Sequence, residues 1–441
     1  MDVAGEEQAE QLITRCRLTE AAARLTAMRY DDAGDPEGGR KRLCVGVYAL
    51  VGDDRNLAGA VAPQLLASRS AADVASYFES LPGEPASHDH LAAAVVLSWA
   101  TDAAGAYDLW RSGHDRALFE KRFHFAVGAR ERLAHHAILF GDLEIAQTAL
   151  DDALRLAQLH RLSEWFSRSA AAAARLALNA GDSERAAQLL ARARMHARSP
   201  EAIALLAPVG AALAIEAGDD EATAEWTSAE ILDTALTSED LESAVAATVA
   251  LLSKGAPVPG SSTATALRRA MLRSSGATYA VELLSLAARH GEIEEARLGA
   301  DTLGALVAPN RKYCKAHALL ARAHLLFRSG ERAAWIDHAG DAARAFNAMG
   351  MRRWMNEAML LLVRQENEAF PRRRGRPMGS ALTGREQQVA HLIRRGARNR
   401  EVAAALQISE HTVERHVSSI LGRLGLRSRW QIADPKNASE H

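Results

Sequence analysis

The chain has 441 residues, 53 Lys and Arg against 55 Asp and Glu, and 48% hydrophobic residues with only 5% of the chain aromatic. That length exceeds the usual single domain, so two domains or a repeat array are expected, and a core of Ala and Leu favours close-packed helices over a β-sandwich. Cys16, Cys44 and Cys314 are odd in number and lack CxxC spacing, which fits reduced thiols in a cytosol rather than a disulfide scaffold.

The start, MDVAGEEQAEQ, is acidic and lacks the basic and apolar regions of a signal peptide. A helix is expected over 6–28, with Leu12, Ile13, Cys16, Leu18, Ala22 and Leu25 on its apolar face. The polar stretch 31–42 then reads as a loop, and its basic cluster Arg40, Lys41 and Arg42, beside four acids, as part of that solvated loop. The longest uncharged run, 202–215, is 14 residues and contains Pro208 and Gly210, too short and too broken to span a bilayer. A cytoplasmic, non-membrane protein is expected.

From about residue 50 the chain repeats itself. Gly52, Gly105, Gly141, Gly181, Gly218, Gly255, Gly291 and Gly330 each follow an apolar helical segment, and after Gly105 the steps are 36, 40, 37, 37, 36 and 39 residues. Alanines recur at fixed offsets: Ala134, Ala174, Ala211 and Ala323 before the turn, Ala146, Ala186 and Ala296 after it. Alanines on both sides of a Gly turn let two antiparallel helices approach closely, with Leu150 and Leu190 filling the groove between. A helix–turn–helix unit with a period near 37 resembles tetratricopeptide-like repeats. The repeats lack that family's proline, and Gly255 lies in GAPVPGSS instead of a tight turn. The array ends in 342–368, where Phe346, Met349, Trp354, Ala358, Leu361 and Leu362 are spaced like a final helix pair.

Enzyme chemistry finds no footing. His88, Asp89 and His90 form HxH in a loop, and His135 and His136 are adjacent on a helix, but neither set has the i, i+4 pair plus carboxylate of a helical metal site. No GxSxG, CxxC or paired-carboxylate signature stands out. No catalytic residue, metal or cofactor is expected, and the protein is read as a non-enzyme.

After 368 the composition changes. Residues 369–381, AFPRRRGRPMGSA, form a basic linker whose Arg372, Arg373, Arg374 and Arg376 either reach DNA phosphates or are merely solvated. From Pro371 to Trp430 thirteen arginines face four acids, a net of +9. With −1 on the last eleven residues, residues 1–370 carry −10 of the chain's −2. An acidic body with a basic tail is the footprint of a nucleic-acid module.

That tail divides into helices. Thr383 with Glu386 makes a capping box, Val389, Ala390, Leu392 and Ile393 an apolar face, and Gly396 a stop. Asn399 caps a short helix with Val402, Ala403 and Leu406 inward. Ser409 caps a third helix with Val413, Val417, Ile420, Leu421 and Leu424 on one side, ended by Gly425. This is the helix-turn-helix plan, whose second helix enters the major groove. The run LTxRE, then NREVA, then IS..TVE.H...I..RLGL, then SR resembles the LuxR-type (GerE-type) DNA-binding domain of bacterial transcription regulators, without a gap over 382–433.

Packing of the apolar side leaves His411, Glu414, Arg415, Ser418, Ser419 and Arg423 outward. The resemblance implies base contact at Glu414, Arg415 and Ser418: Arg415 bidentate to guanine, Glu414 accepting from a cytosine amine. Many relatives carry Lys where Glu414 stands, so this departure lowers non-specific affinity. Thr412, His416 and Arg400 match family positions that touch phosphate or buttress the helix, with a packed helix histidine as the alternative for His416. Beyond Gly425, Ser428 caps a fourth helix over 429–433 that exposes Trp430 and Ile432. In the family that helix pairs two domains on an inverted repeat.

The expected architecture is all-α: repeats over 1–368 as a sensory or interaction domain, the linker, and a four-helix DNA-binding domain over 382–441. The order resembles the distal half of the large ATP-binding LuxR regulators. No GxxxxGK[ST] loop occurs, so the ATPase the resemblance would imply is absent from this chain, whether a naturally short relative or a fragment of a longer product. The expected function is a bacterial transcription regulator that binds duplex DNA as a homodimer, with a protein or small ligand signalling through the repeats. The alternative is a helical scaffold with little direct DNA reading.

Overall fold

The computed structural model describes residues 70–81, 83–99, 102–228, 278–290, 293–308, 310–330, 332–369, 384–394, 396–406 and 408–424, with a few isolated positions elsewhere. Among them are seventeen α-helices and no strand. The helix expected over 6–28 (a few positions apart), the loop 31–42, Gly52, Gly255, Gly291 and the linker arginines lie outside the described residues. The chain divides into two compact units, Met1–Leu325 and Leu326–His441.

In the first unit the helices are α1 (Ala71–Glu79), α2 (Ser87–Trp99), α3 (Ala103–Phe119), α4 (Phe123–Phe140), α5 (Leu143–Leu159), α6 (Ser163–Ala180), α7 (Ser183–His196), α8 (Pro200–Ala217), α9 (Asp220–Trp226), α10 (Thr278–His290), α11 (Ile293–Ala305) and α12 (Lys312–Arg328), the last running across the division. Neighbouring helices from α2 to α9 pack on each other, as do α10 and α11, and α4, α6 and α8 also pack in sequence, with α10 against α4. Those three are buried on nearly all sides, whereas α5 and α7 bury only a stripe: Ala146, Ala149, Leu150, Ala153, Leu154 and Ala157 on α5, Ala186, Leu189 and Ala193 on α7. The result is an inner layer of buried helices under an outer amphipathic layer.

The Gly-Asp turns have a double cause. Gly141, Gly181 and Gly218 are left-handed at φ +83°, +83° and +70°, a region open to glycine at little cost. The next amide then reaches back to the helix just ended: Asp142 N donates to Ala137 O, Asp182 N to Ala177 O and Asp219 N to Ala214 O. Asp182 and Asp219 go on to cap the following helix, accepting from Arg185 N and Ala222 N at 3.0 and 2.9 Å. The alanines flanking these turns are buried as their spacing implies, Ala134, Ala146, Ala174, Ala186 and Ala211 at 0–1% exposure. Gly105 departs from the pattern: it lies in the first turn of α3, where its N–H donates to Asp102 Oδ1 at 3.0 Å.

Two other expectations change. The run with Pro208 does not break: α8 continues through it for 18 residues, long and apolar enough for a bilayer, but 61% of it is buried and it packs on α6, α7 and α9 as a core helix. His88, Asp89 and His90 are not in a loop but in the first turn of α2, where Asp89 Oδ2 accepts from Ala86 N at 2.9 Å. His135 and His136 are both buried inside α4.

In the second unit α13 (Arg332–Ala348) and α14 (Arg352–Ala369) form a pair around Phe346, Trp354, Ala358, Leu361 and Leu362, all buried, joined by Gly350 at φ +74°. Then come α15 (Gly384–Arg394), α16 (Asn399–Leu406) and α17 (Glu410–Leu424). Within this unit α14 lies against α15 and α16.

Candidate nucleic-acid interface

The three C-terminal helices build one small core. Val389, Ala390, Leu392 and Ile393 of α15, Val402, Ala403, Ala405 and Leu406 of α16, and Val413 and Ile420 of α17 are all buried; Val417 and Leu421 are half-buried on the same side. Gly396 ends α15 at φ +87°, with Ala397 N donating to Leu392 O. The tight turn between α16 and α17 closes through Ile408 N to Ala403 O.

Polar side chains fix how these helices sit. Ser409 caps α17: its hydroxyl accepts from Thr412 N at 3.1 Å and pairs with Thr412 Oγ1 at 2.8 Å. Arg385 on α15 donates to Leu406 O at 2.6 Å, giving the last carbonyl of α16 a charged partner. Glu386, buried, accepts from Ser419 Oγ at 2.5 Å, which turns Ser419 inward against the expectation that it faces out. The expected capping box cannot be followed, since Thr383 lies outside the described residues. Asn399 does not cap α16. Arg398 holds that position, its N–H donating to Glu401 Oε2 at 2.7 Å, and Asn399 Oδ1 instead receives Arg429 Nη1 at 2.6 Å. Arg429 also donates to Ala397 O, tying the end of the domain to the turn before α16.

With Val413 and Ile420 anchored inward, the first two turns of α17 present His411, Glu414, Arg415 and Ser418 to solvent. Held on a buried face and projecting polar side chains from its N-terminal half, such a helix has the form that enters a major groove. Residues 380–435 match the family described as bacterial regulatory proteins, luxR family. This segment is a LuxR-type helix-turn-helix domain. Its sequence is similar to an uncharacterized transcriptional regulatory protein, YhcZ, of Bacillus subtilis, 50% identical over 52 residues (12% of this chain, 24% of YhcZ). It is also similar to the nitrate/nitrite response regulator NarP of Escherichia coli, 44% identical over 50 residues, 11% of this chain and 23% of NarP. The chain thus spans about a quarter of the length of these curated relatives. Among solved structures, a circular tandem repeat protein aligns over 99% of this chain and 92% of its own at 17% identity, but its TM-score of 0.13 carries no likeness of fold.

On the LuxR-type domain, Arg400, Glu414, Arg415 and Ser418 are exposed, and Thr412 and His416 are half-buried. Glu414 lies 3.8 Å from His411 Nδ1, on the helix's exposed side. Arg423 stands in the last turn of α17; Trp430 lies outside the described residues, as do Arg372, Arg373, Arg374 and Arg376. Ile432 is only 2% exposed. It is buried where an exposed apolar position is expected.

A second polar constellation, inside the first unit, was not foreseen. Arg168 Nε donates to Glu131 Oε1 at 2.6 Å, and His135 lies 3.7 Å from the same oxygen while its Nδ1 meets Thr278 Oγ1 at 3.0 Å. Glu282 accepts from Arg175 Nε at 3.1 Å, Asn179 Nδ2 at 3.0 Å and Tyr313 OH at 2.6 Å. Every one of these side chains is buried. Burial alone would raise both carboxyls, but Arg168 with His135 and Arg175 with Tyr313 outweigh it and hold Glu131 and Glu282 below the usual carboxylate range. The sequence signal is charge at inner-helix positions, at the repeat interval of 37 residues between Glu131 and Arg168.

Proposed function

We propose that the protein is a transcription regulator that binds an inverted-repeat promoter site as a dimer, reading bases with α17, while the helical repeats receive a protein or ligand signal. The observation that carries this reading is the exposed N-terminal half of α17, with Arg415 projecting from a helix anchored by buried Val413 and Ile420. Arg415 supplies a bidentate donor for guanine, Glu414 an acceptor for a cytosine amine, and Ser418 a neutral partner. Arg400, exposed at the start of α16, Thr412 at the first turn of α17, and His416 with Arg423 belong to phosphate contact or buttressing, and the linker arginines 372, 373, 374 and 376 extend that basic track. Division of labour follows residues 1–368, 369–381 and 382–441, and pairing on DNA falls to the segment around Trp430. Cytoplasmic action on duplex DNA, without catalysis, completes the reading.

The test is a titration of labelled duplex DNA at several salt concentrations. Arg400→Ala is expected to weaken binding evenly across sequences and to reduce the salt slope by about 1, and Arg415→Ala to cost roughly 1–3 kcal/mol at a preferred site and to flatten the preference. An unchanged preference in Arg415→Ala removes it from base reading. The second reading, a repeat scaffold that hardly reads DNA, is favoured by Glu414, whose charge stands exposed beside Arg415 on α17. Salt-insensitive binding without selectivity supports it.

A further inference from the structure

Where one helical pair of the first unit passes to the next, the solvent edge carries a pattern that DNA reading does not use. Phe119 ends α3, Leu159 ends α5 and Met195 is the penultimate residue of α7. They are 78%, 71% and 68% exposed, whereas the other exposed large apolar residues described stand at only 40–41%. An isolated exposed apolar side chain needs no explanation, but a row with one such residue per repeat does.

The turns beside them are basic. Lys121 and Arg161 stand in the left-handed region at φ +58° and +55°, and each closes its turn through the next amide, Arg122 N to Ala117 O at 2.8 Å and Leu162 N to Ala157 O at 2.9 Å. The turns within the repeats make the same geometry with Gly141, Gly181 and Gly218. A side chain there costs conformational energy that glycine avoids, so the fold itself does not call for Lys or Arg at these two positions. Among the described residues neither side chain takes part in an ion pair. The third turn offers Arg198, exposed three residues after Met195, with half-buried Glu164 beside it accepting from the backbone N–H groups of Arg198 and Ser199. Nearby acids are engaged: Glu120 accepts from Ser87 Oγ at 2.6 Å and Arg116 Nε at 3.0 Å, and Asp152 from Arg155 at 2.6 Å. Adjacent turns are held in register by Phe123 stacked on His160, centroids 3.5 Å apart, and by Phe166 against His196 at 4.4 Å.

We propose that this edge docks an acidic segment of a partner protein, its apolar side chains received by Phe119, Leu159 and Met195 and its carboxylates by Lys121, Arg161 and Arg198. The inference rests on the reading of the repeats as the part that receives a protein signal, and it names the surface and the partner's chemistry. Charge complementarity selects the occupant. Residues 1–370 carry −10, which repels an extended polyanion such as duplex DNA or an anionic bilayer, whereas a short acidic segment meets only the local row of cations. Apolar residues alternating with the cations suit a peptide's mixed side chains.

The experiment selects a library of displayed random peptides on the full-length chain, then measures the enriched sequences as labelled synthetic peptides. Acidic peptides with apolar residues are expected. The double variant Lys121→Gly/Arg161→Gly is expected to bind them about tenfold more weakly or worse, while its melting temperature does not fall, because glycine suits the positive φ. Phe119→Ser/Leu159→Ser gives an independent loss. Acidic peptides that bind both variants like the unaltered chain overturn the edge and leave the repeats as an interaction domain. Enrichment of non-acidic peptides alone overturns the proposal and leaves a protein signal on the repeats standing, whereas enrichment of no peptide at all counts against both. Binding of phosphatidylserine vesicles or duplex DNA through Lys121 and Arg161 overturns the occupant, and unchanged affinity of both variants for operator DNA keeps the terminal domain out of the comparison.

Discussion

Gly210 shows how much a single position settles in this fold. A Cβ placed there would lie 2.3 Å from the indole of Trp226, so α8 and the short α9 approach only because the side chain is missing. Gly210→Ala is expected to destabilise the first unit by about 1–3 kcal/mol, as overpacking does. Gly304 in α11 has open space within 4 Å, so Gly304→Ala is expected to be neutral or to gain up to about 1 kcal/mol from helix propensity. Thermal melts of the two variants check this, and equal effects would mean that the close approach is not what Gly210 supplies. At this scale the sequence was partly legible. Ser409 caps α17 as its type and position imply, because a cap is decided within four residues. Asn399 and Ser419 depart from their expected roles because their partners, Arg429 and Glu386, come from distant parts of the chain.

At the scale of helices, the unforeseen feature is the charged seam joining α4 and α6 to α10 and α12. Its bonds span up to 143 residues of sequence, and no local periodicity encodes which arginine meets which glutamate. The alanine ladder and the Gly-Asp turns were legible because both repeat within one helical pair. Removing one partner of a buried ion pair strands the other, so Arg175→Met is expected to destabilise by about 3–5 kcal/mol, and Arg175→Met/Glu282→Leu by much less. Denaturant melts decide it: a double variant no more stable than the single would show that the pair acts only through packing. The same seam sets a pH dependence. Burial holds His136 well below its ordinary value and His317 down to about 3, so both stay neutral in the fold while the unfolded chain takes up protons below about 6.5. Stability from this source is full above pH 6.5 and declines below it. Glu131 and Glu282, depressed in the fold, contribute stability above their unfolded values near 4.3 that is lost as pH falls further. The melting temperature is therefore expected to be flat from pH 7 to 8, to fall from about 6.5, and to fall again below about 4.5. A curve flat down to pH 5 would place these histidines in contact with water.

Across the whole molecule, charge and chemistry divide along the chain. The acidic 1–370 segment holds the repeats, and the basic remainder holds the LuxR-type domain. The charge asymmetry and the motif were legible because net charge and motif spacing are summed along the sequence. The compact-unit boundary inside α12 was not, since it depends on α14 lying against α15 and α16. The central claim is that α17 reads bases in a dimer, and selection of random duplex DNA by the full-length protein, repeated with Arg415→Ala, tests it most directly. The account predicts an enriched inverted repeat that the variant loses while keeping weak, salt-dependent binding. No enrichment even at low salt, or the same enriched site with Arg415→Ala, would contradict it.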